Sequence, residues 1–272
     1  MATPLGNLRD ITLRALDVLG SVAAVAAEDT RHTRQLLSHY QIRARLIPLH
    51  QHNEQRIAQG IIRRLNEGEP VAYVTDAGTP GISDPGAVLV SEVRAADLPV
   101  IPIPGPSAVT AALSAAGIGA QHFLFYGFLS SKAGARRQEL AALSALSYTL
   151  VFYEAPHRLP RTVDDMEQSF GPDRIIVISR EITKLFESFH RCTLGEARSW
   201  LEADPDRGRG EFVLIVEGAV AVPTQSAMQS QRVLDVLLRE LPVKQAVRLA
   251  AQITGARRNA LYERALRQKK AF

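Results

Sequence analysis

The sequence predicts an α/β fold in two domains, followed by a small helical module. Three observations predict it. Short apolar strands alternate with helical patterns through residues 1 to about 110, the rhythm of a parallel sheet covered by helices. A second series of strands begins after Gly117-Ile118-Gly119. From residue 232 onward the pattern is helical and basic. The expected boundaries are 1–117 and 118–222 for the two α/β domains and 232–272 for the helical module.

The chain opens with MATPLGNLRDITLRAL, in which Thr3, Pro4, Leu5, Gly6 and Asn7 lead into an amphipathic helix. The alanine-rich run VAAVAAEDTRHTRQLL then ends in Glu28, Asp29, Thr30, Arg31 and His32. The most informative segment is VAYVTDAGTPGISDPG. Its strand, residues 71–74, meets Asp76, and Gly78, Thr79, Pro80, Gly81, Ser83, Asp84, Pro85 and Gly86 follow. An apolar run that stops in glycines and a carboxylate puts polar chemistry at the carboxyl end of a buried strand, where ligands bind in open α/β sheets. Glycine lets the backbone approach a ligand, and proline holds the loop so that little entropy is lost on binding. An ordinary β–α turn needs only one or two such residues. In LPVIPIPGPSAVTAALSAAG, a strand over about 98–103 enters Pro104-Gly105-Pro106-Ser107-Ala108 and a helix of small residues. The free N–H groups at such a helix start suit an anionic ligand.

The second domain is expected to hold strands near 122–129, 147–155, 174–181, 185–193 and 209–218, with two helices, PHRLPRTVDDMEQSF and LGEARSWLEAD, between them. The aromatics of FLFYGFL alternate as in a buried strand, which favours core packing over base stacking. Trp200 lies on an amphipathic helix and reads as core or interface. AVPTQSAMQSQ, residues 221–231, reads as a polar linker. The tail then shows two helical patterns, the second broken at Thr254-Gly255, compatible with a helix-turn-helix module.

Composition narrows the function. With 272 residues and 46% hydrophobic content the chain can bury real cores. One cysteine, Cys192, excludes an internal disulfide and fits a reducing cytoplasm. No run approaches the ~20 apolar residues a membrane helix needs, and no secretory signal is visible. The net charge of +4 is uneven: residues 224–272 carry ten basic and three acidic side chains, a surplus of seven that leaves the remainder at −3. A basic appendage on a mildly acidic body suits a polyanion, although a solvated helical face has the same composition.

The nucleotide motifs fail. Gly117-Ile118-Gly119 follows a helix and lacks the third glycine of a dinucleotide fingerprint, and there is no P-loop. His50 and His52 lack supporting ligands for a metal site. Three clusters at strand ends offer proton handling or substrate placement: Glu28, Asp29, Arg31 and His32; Glu154, His157 and Arg158; and Glu181 with Lys184. A lone histidine is more often structural than a base, and Glu28 or Arg31 fits a plain ion pair equally well.

TPLGN, AEDTRHT, DAGTPGISDPG, PGPSA, FYEAPHR and RGEFVLIVEG resemble the motifs of the tetrapyrrole-methylase superfamily. AEDTRHT and FYEAPHR, with the basic tail, resemble its rRNA-modifying branch. The resemblance covers nearly the whole chain. It implies two α/β domains of the class III methyltransferase type with S-adenosyl-L-methionine folded in the cleft between them. It implies methyl transfer to the ribose 2′-hydroxyl of a cytidine in the decoding region of 16S rRNA, within the 30S subunit, by a cytoplasmic homodimer that needs no metal. The donor site would take Thr3, Pro4, Gly6, Asn7, Asp76, Gly78, Thr79, Pro80, Gly81, Ser83, Asp84, Pro104, Ser107 and Ala108, with Asp76 the natural partner of a polar group. Chemistry would fall to Glu28, Asp29, Arg31, Glu154, His157 and Lys184. One departure is that the strand expected before TPLGN is mostly missing, which puts the packing of residues 3–7 in question. A tetrapyrrole C-methyltransferase is the alternative enzyme, disfavoured by the basic tail. A non-catalytic RNA-binding protein is disfavoured by the intact glycine-rich loop.

Overall fold

The computed structural model describes residues 1–119, 121–220 and 225–270, except for the side chains of 225–228 and 267–270. They fall into two compact units, Met1–Ala219 and Val220–Phe272.

In the first unit the chain runs through α1 (Leu13–Ser21), β1 (Ala24–Ala27), α2 (Thr30–His39), β2 (Arg45–Pro48), α3 (Glu54–Asn66), β3 (Val71–Val74), α4 (Ala87–Ala95) and α5 (Ala108–Ala115). The three strands form a parallel sheet of order β2-β1-β3. The central strand Ala24-Val25-Ala26-Ala27 is buried throughout because helices cover both faces, which is why it reads as a continuous apolar run. Val25, Ala27, Ala72 and Val74 pack with Ala15, Leu19, Leu36 and Leu37 of α1 and α2. Ala26 faces Ala58, Ile61, Leu89 and Val93 of α3 and α4.

Next come β4 (Phe123–Phe128), α6 (Ala133–Leu143), β5 (Thr149–Glu154), α7 (Leu159–Phe170), β6 (Ile175–Arg180), β7 (Ser188–Thr193), α8 (Leu194–Glu202) and β8 (Phe212–Val216). They build a mixed sheet of order β4-β5-β8-β6-β7, parallel only between β4 and β5. Leu150, Phe152, Ile176, Ile178 and Leu214 pack against α6, α7 and α8. The alternate residues Val151, Val177, Val213 and Ile215 pack against Val109 and Ala112 of α5. The two periodicities place opposite faces of one strand in two different cores.

Several expectations need correction. Residues 98–103 do not form a strand: Pro99, Pro102 and Pro104 remove ladder donors, and Ile103 makes one backbone bond, accepting from Ala2 N–H at 3.2 Å. The aromatic run 122–129 is not a buried strand. It is the sheet edge, and Phe123, Tyr126 and Phe128 stay exposed. A third helix, α6, lies between β4 and β5, where only two helices were expected in the domain. Trp200 is half-buried on the core and stacks on His190, ring centroids 3.9 Å apart.

The second unit contains α9 (Gln225–Glu240), α10 (Val243–Thr254) and α11 (Arg258–Lys270), packed on one another around Leu234, Val247, Ala250 and Leu261. The break at Thr254-Gly255 is a left-handed cap, with Gly255 at φ 69°. The stretch expected as a linker is helical from Gln225, since residues 224–231 contain neither glycine nor proline, and residues 221–224 lie outside the described set. No helix among the described residues is long and apolar enough to cross a membrane.

Candidate active site

A cavity of about 320 Å³ opens in the first unit. The loop after β3 supplies Gly78, Thr79, Ser83 and Asp84 to its wall, and the start of α5 supplies Ser107 and Ala108. The opposite wall comes from the second sheet: Phe128 at the end of β4, Tyr153 and Glu154 at the end of β5, and Phe212 and Val213 of β8.

The loop after β3 holds an unusual backbone. Gly78, Gly81, Ser83 and Gly86 all have positive φ, at 75°, 77°, 63° and 126°. Three sets of bonds fix it. Thr3 and Gly78 exchange backbone bonds at 2.9 and 3.0 Å, and the Thr3 hydroxyl donates to Thr75 O at 3.1 Å, so residue 3 is pinned to the loop. The Thr79 hydroxyl donates to Pro106 O at 3.0 Å, tying the loop to the start of α5. The buried Glu54 carboxylate accepts the N–H groups of Gly86 and Leu89 at 3.0 and 2.8 Å, capping α4 from a neighbouring helix. At Gly86 an added Cβ would lie 2.5 Å from Tyr73 Cε1, so this position needs glycine for space as well as for φ.

Of the residues expected to bind the donor, Gly78, Thr79, Ser83, Asp84, Ser107 and Ala108 line the cavity. Thr3, Pro4, Gly6, Asn7, Asp76, Pro80, Gly81 and Pro104 do not. Thr3 and Pro4 are buried supports. Gly6 gives room to the Lys184 stem, whose Cγ would collide with a Cβ added there. Asn7 caps a short 3-10 turn. Asp76 Oδ1 accepts the Asp29 N–H at 3.1 Å and so joins the ends of β1 and β3.

Of the residues expected to carry chemistry, only Glu154 lines the cavity, and its carboxylate is fully engaged. Oε2 accepts from the Thr162 hydroxyl at 2.5 Å, Oε1 accepts from Ala155 N–H at 2.8 Å, and Arg158 Nε lies 3.1 Å from Oε1. His157 is exposed on the turn before α7 and outside the lining. Asp29 caps α2 and grips Arg31 at 2.7 Å, and that arginine side chain is 83% exposed. Lys184 Nζ bonds Glu181 and Glu211, each at 2.9 Å, and Glu211 is at the cavity wall. Glu181 and Thr183 have positive φ, 50° and 69°, in the turn that carries this lysine.

The electrostatics centre on Asp84. Burial pushes its carboxyl up to about 6, and the charges of Glu28 and Asp76 add to the rise. Burial, with help from Asp76, also raises Glu28. On the far wall burial holds the Tyr153 phenol at about 12, and Asp84 adds to the effect. Glu181 is held below the ordinary range by Lys184 and the Glu211 N–H, although burial opposes them.

Sequence reasoning missed Glu54, Tyr153, Glu211 and the exposure of Phe128. The last had a signal. Gly127 interrupts a strand pattern, as a bulge does, and the register between β4 and β5 shifts between Phe125 and Gly127. Together the walls suit an elongated ligand with a flat ring, between apolar surface at Phe128, Ile182, Phe212 and Val213 and a helix start at Ser107. Among the described residues no group of three or more His, Cys, Asp or Glu could hold a metal ion.

Residues 2–198 match the family described as Tetrapyrrole (Corrin/Porphyrin) Methylases, and residues 224–269 match the RsmI C-terminal HTH domain. The chain is 48% identical over 267 residues to "Ribosomal RNA small subunit methyltransferase I" of Escherichia coli O157:H7, covering 98% of this chain and 93% of the relative. It is 48% identical over 271 residues to the protein of that name in Pseudomonas aeruginosa, covering 99% and 96%. Among solved structures it resembles a cobalt precorrin-4 methyltransferase, with TM-score 0.60, 16% identity, and coverage of 79% of this chain and 92% of the other. It also resembles a uroporphyrin-III C-methyl transferase from Thermus thermophilus complexed with S-adenyl homocysteine, with TM-score 0.54, 17% identity, and coverage of 78% and 93%. At those identities the two structures speak for the fold alone.

Proposed function

Since the chain belongs to the tetrapyrrole methylase family and, within it, to the ribosomal RNA small subunit methyltransferase I relatives, we propose that it methylates the ribose 2′-hydroxyl of a cytidine in the decoding region of 16S rRNA. The near full-length identity to relatives of that name carries the reading. S-adenosyl-L-methionine is the methyl donor of such an enzyme, and its sulfonium supplies an already activated methyl carbon. The residues of this chain hold and exclude. Ser107 and the start of α5, which no side chain caps, would take the donor's carboxylate. Gly78 and its neighbours let backbone approach the ligand, and Phe128, Ile182, Phe212 and Val213 keep water from the flat ring. Lys184 is held between Glu181 and Glu211, the latter on the cavity wall.

The basic second unit supplies phosphate contacts, which position the RNA without reading its sequence. We place the reaction on the 30S subunit and the active form as a homodimer in the cytoplasm. A tetrapyrrole substrate would have no use for residues 224–269. The test maps ribose methylation across 16S rRNA in a strain lacking the gene, with and without the protein restored. Loss and recovery at one decoding-region cytidine is expected. An unchanged methylation map overturns the reading. Light scattering at micromolar concentration tests the dimer, and an active monomer contradicts it.

A further inference from the structure

We infer that Asp84 accepts the proton of the ribose hydroxyl as the methyl group is transferred. The inference rests on the function proposed above and reaches beyond it, to the group that does the proton chemistry. Three carboxylates line the cavity: Asp84, Glu154 and Glu211. Glu154 is closed in by Thr162, the Ala155 N–H and Arg158. Glu211 is neutralised by Lys184 at 2.9 Å. Asp84 makes no hydrogen bond and no ion pair with the described residues, and no Lys, Arg or His among them lines the cavity.

What faces Asp84 is acidic or neutral. Glu28 at the end of β1 and Asp76 after β3 repel its charge, while the phenols of Tyr73 on β3 and Tyr153 on β5 stay protonated beside it. An unpaired carboxylate in such surroundings binds a proton more tightly than a solvated one, which improves it as a base near neutral pH. The loop geometry holds it in place. Ser83, beside it, has φ 63° and its hydroxyl lies 2.8 Å from where a Cβ of Gly127 would stand, so the loop next to Asp84 packs closely on the β4 bulge. In the step, the 2′-oxygen forms a bond to the methyl carbon while the carbon–sulfur bond breaks with its pair left on sulfur. The O–H proton passes to a carboxylate oxygen of Asp84 and later to water.

The test is single-turnover methylation of 30S subunits at saturating donor between about pH 5 and about pH 8. Beside it, calorimetry measures binding of S-adenosylmethionine and of S-adenosylhomocysteine, which lacks the sulfonium charge. Wild-type rates should rise with pH through a single ionisation. Asp84→Asn should lower the rate by ~10²- to 10⁴-fold and abolish that rise, with both affinities within about threefold of wild type. Asp84→Glu should restore part of the rate and shift the rise along the pH axis. A wild-type rate independent of pH overturns the inference without any variant. So does an Asp84→Asn protein that keeps its rate, or one that loses affinity for S-adenosylmethionine alone, which would make Asp84 a counter-charge to the sulfonium. A wild-type protein that methylates no rRNA refutes the proposed function instead.

Discussion

Glu154 and Asp84 line one cavity, and their surroundings assign them different work. Glu154 is 3% exposed and is bonded at both oxygens, so it fastens the end of β5 to α7. Glu154→Ala leaves Arg158 and Thr162 without their partner and is expected to cost on the order of 3–5 kcal/mol of stability, read by urea unfolding. A variant of wild-type stability would return Glu154 to the groups free for chemistry. Asp84 should behave in the opposite way. Its folded carboxyl titrates near 6, above the ordinary value of 3.8, so the folded state binds its proton more tightly than the unfolded one. Below about pH 3 it is protonated in both states and costs nothing. As pH rises from there through 6 the penalty grows, and it is complete above. Asp84→Asn should therefore raise Tm at pH 7 and leave it unchanged at about pH 3. A gain of equal size at both pH values would mean that its charge is not the source. The loop bearing Asp84 was legible because its glycines and aspartates sit at a strand end. The roles of its neighbours were not. Asp76, the most conspicuous carboxylate in the motif, faces Asp29, and no spacing in the sequence distinguishes it from Asp84.

At the scale of elements, the cavity depends on how α4 is started. Gly86 caps that helix and has no side chain to offer, so its N–H and that of Leu89 are satisfied by Glu54 from α3. Glu54→Ala would strand two buried N–H groups, at about 1–3 kcal/mol each. It should lower the urea midpoint and also weaken donor binding, because the loop of residues 76–86 ends at that cap. Calorimetry showing unaltered donor affinity in a destabilised Glu54→Ala protein would separate the cap from the site. Nothing in the sequence marks Glu54 for this work, since its partners lie thirty or so residues away. Strands with a clear apolar run, such as β1, β3, β5 and β8, were read directly because both of their faces are covered. The same rule failed at residues 98–103, where prolines remove ladder donors, and at β4, where Phe123, Tyr126 and Phe128 leave the strand partly uncovered. The α6 segment AGARRQELAAL was overlooked because it offers two long apolar side chains at most, Leu140 and Leu143, to mark a buried stripe.

At the scale of the whole molecule, the chain joins a mildly acidic body that contains the cavity to a basic helical unit with a core of its own. Charge asymmetry was visible in the sequence because it requires no folding to count, whereas the start of α9 within an apparent linker required the helix itself to be seen. The division predicts separable losses. A protein ending at residue 223 keeps every residue of the cavity wall, so its affinity for S-adenosylmethionine should match that of the full chain. Its affinity for 30S subunits or for a 16S rRNA fragment should fall, because ten basic side chains go with the tail. Every phosphate that is no longer neutralised should reduce the slope of log affinity against log salt by ~0.7 to 0.9, so a shallower slope is the diagnostic and a weaker affinity alone is not. A truncated protein that binds RNA with the full slope would place the phosphate-binding groups on the body, with Arg31 and Lys184 the first to examine. One that loses donor affinity as well would show that the tail supports the cavity.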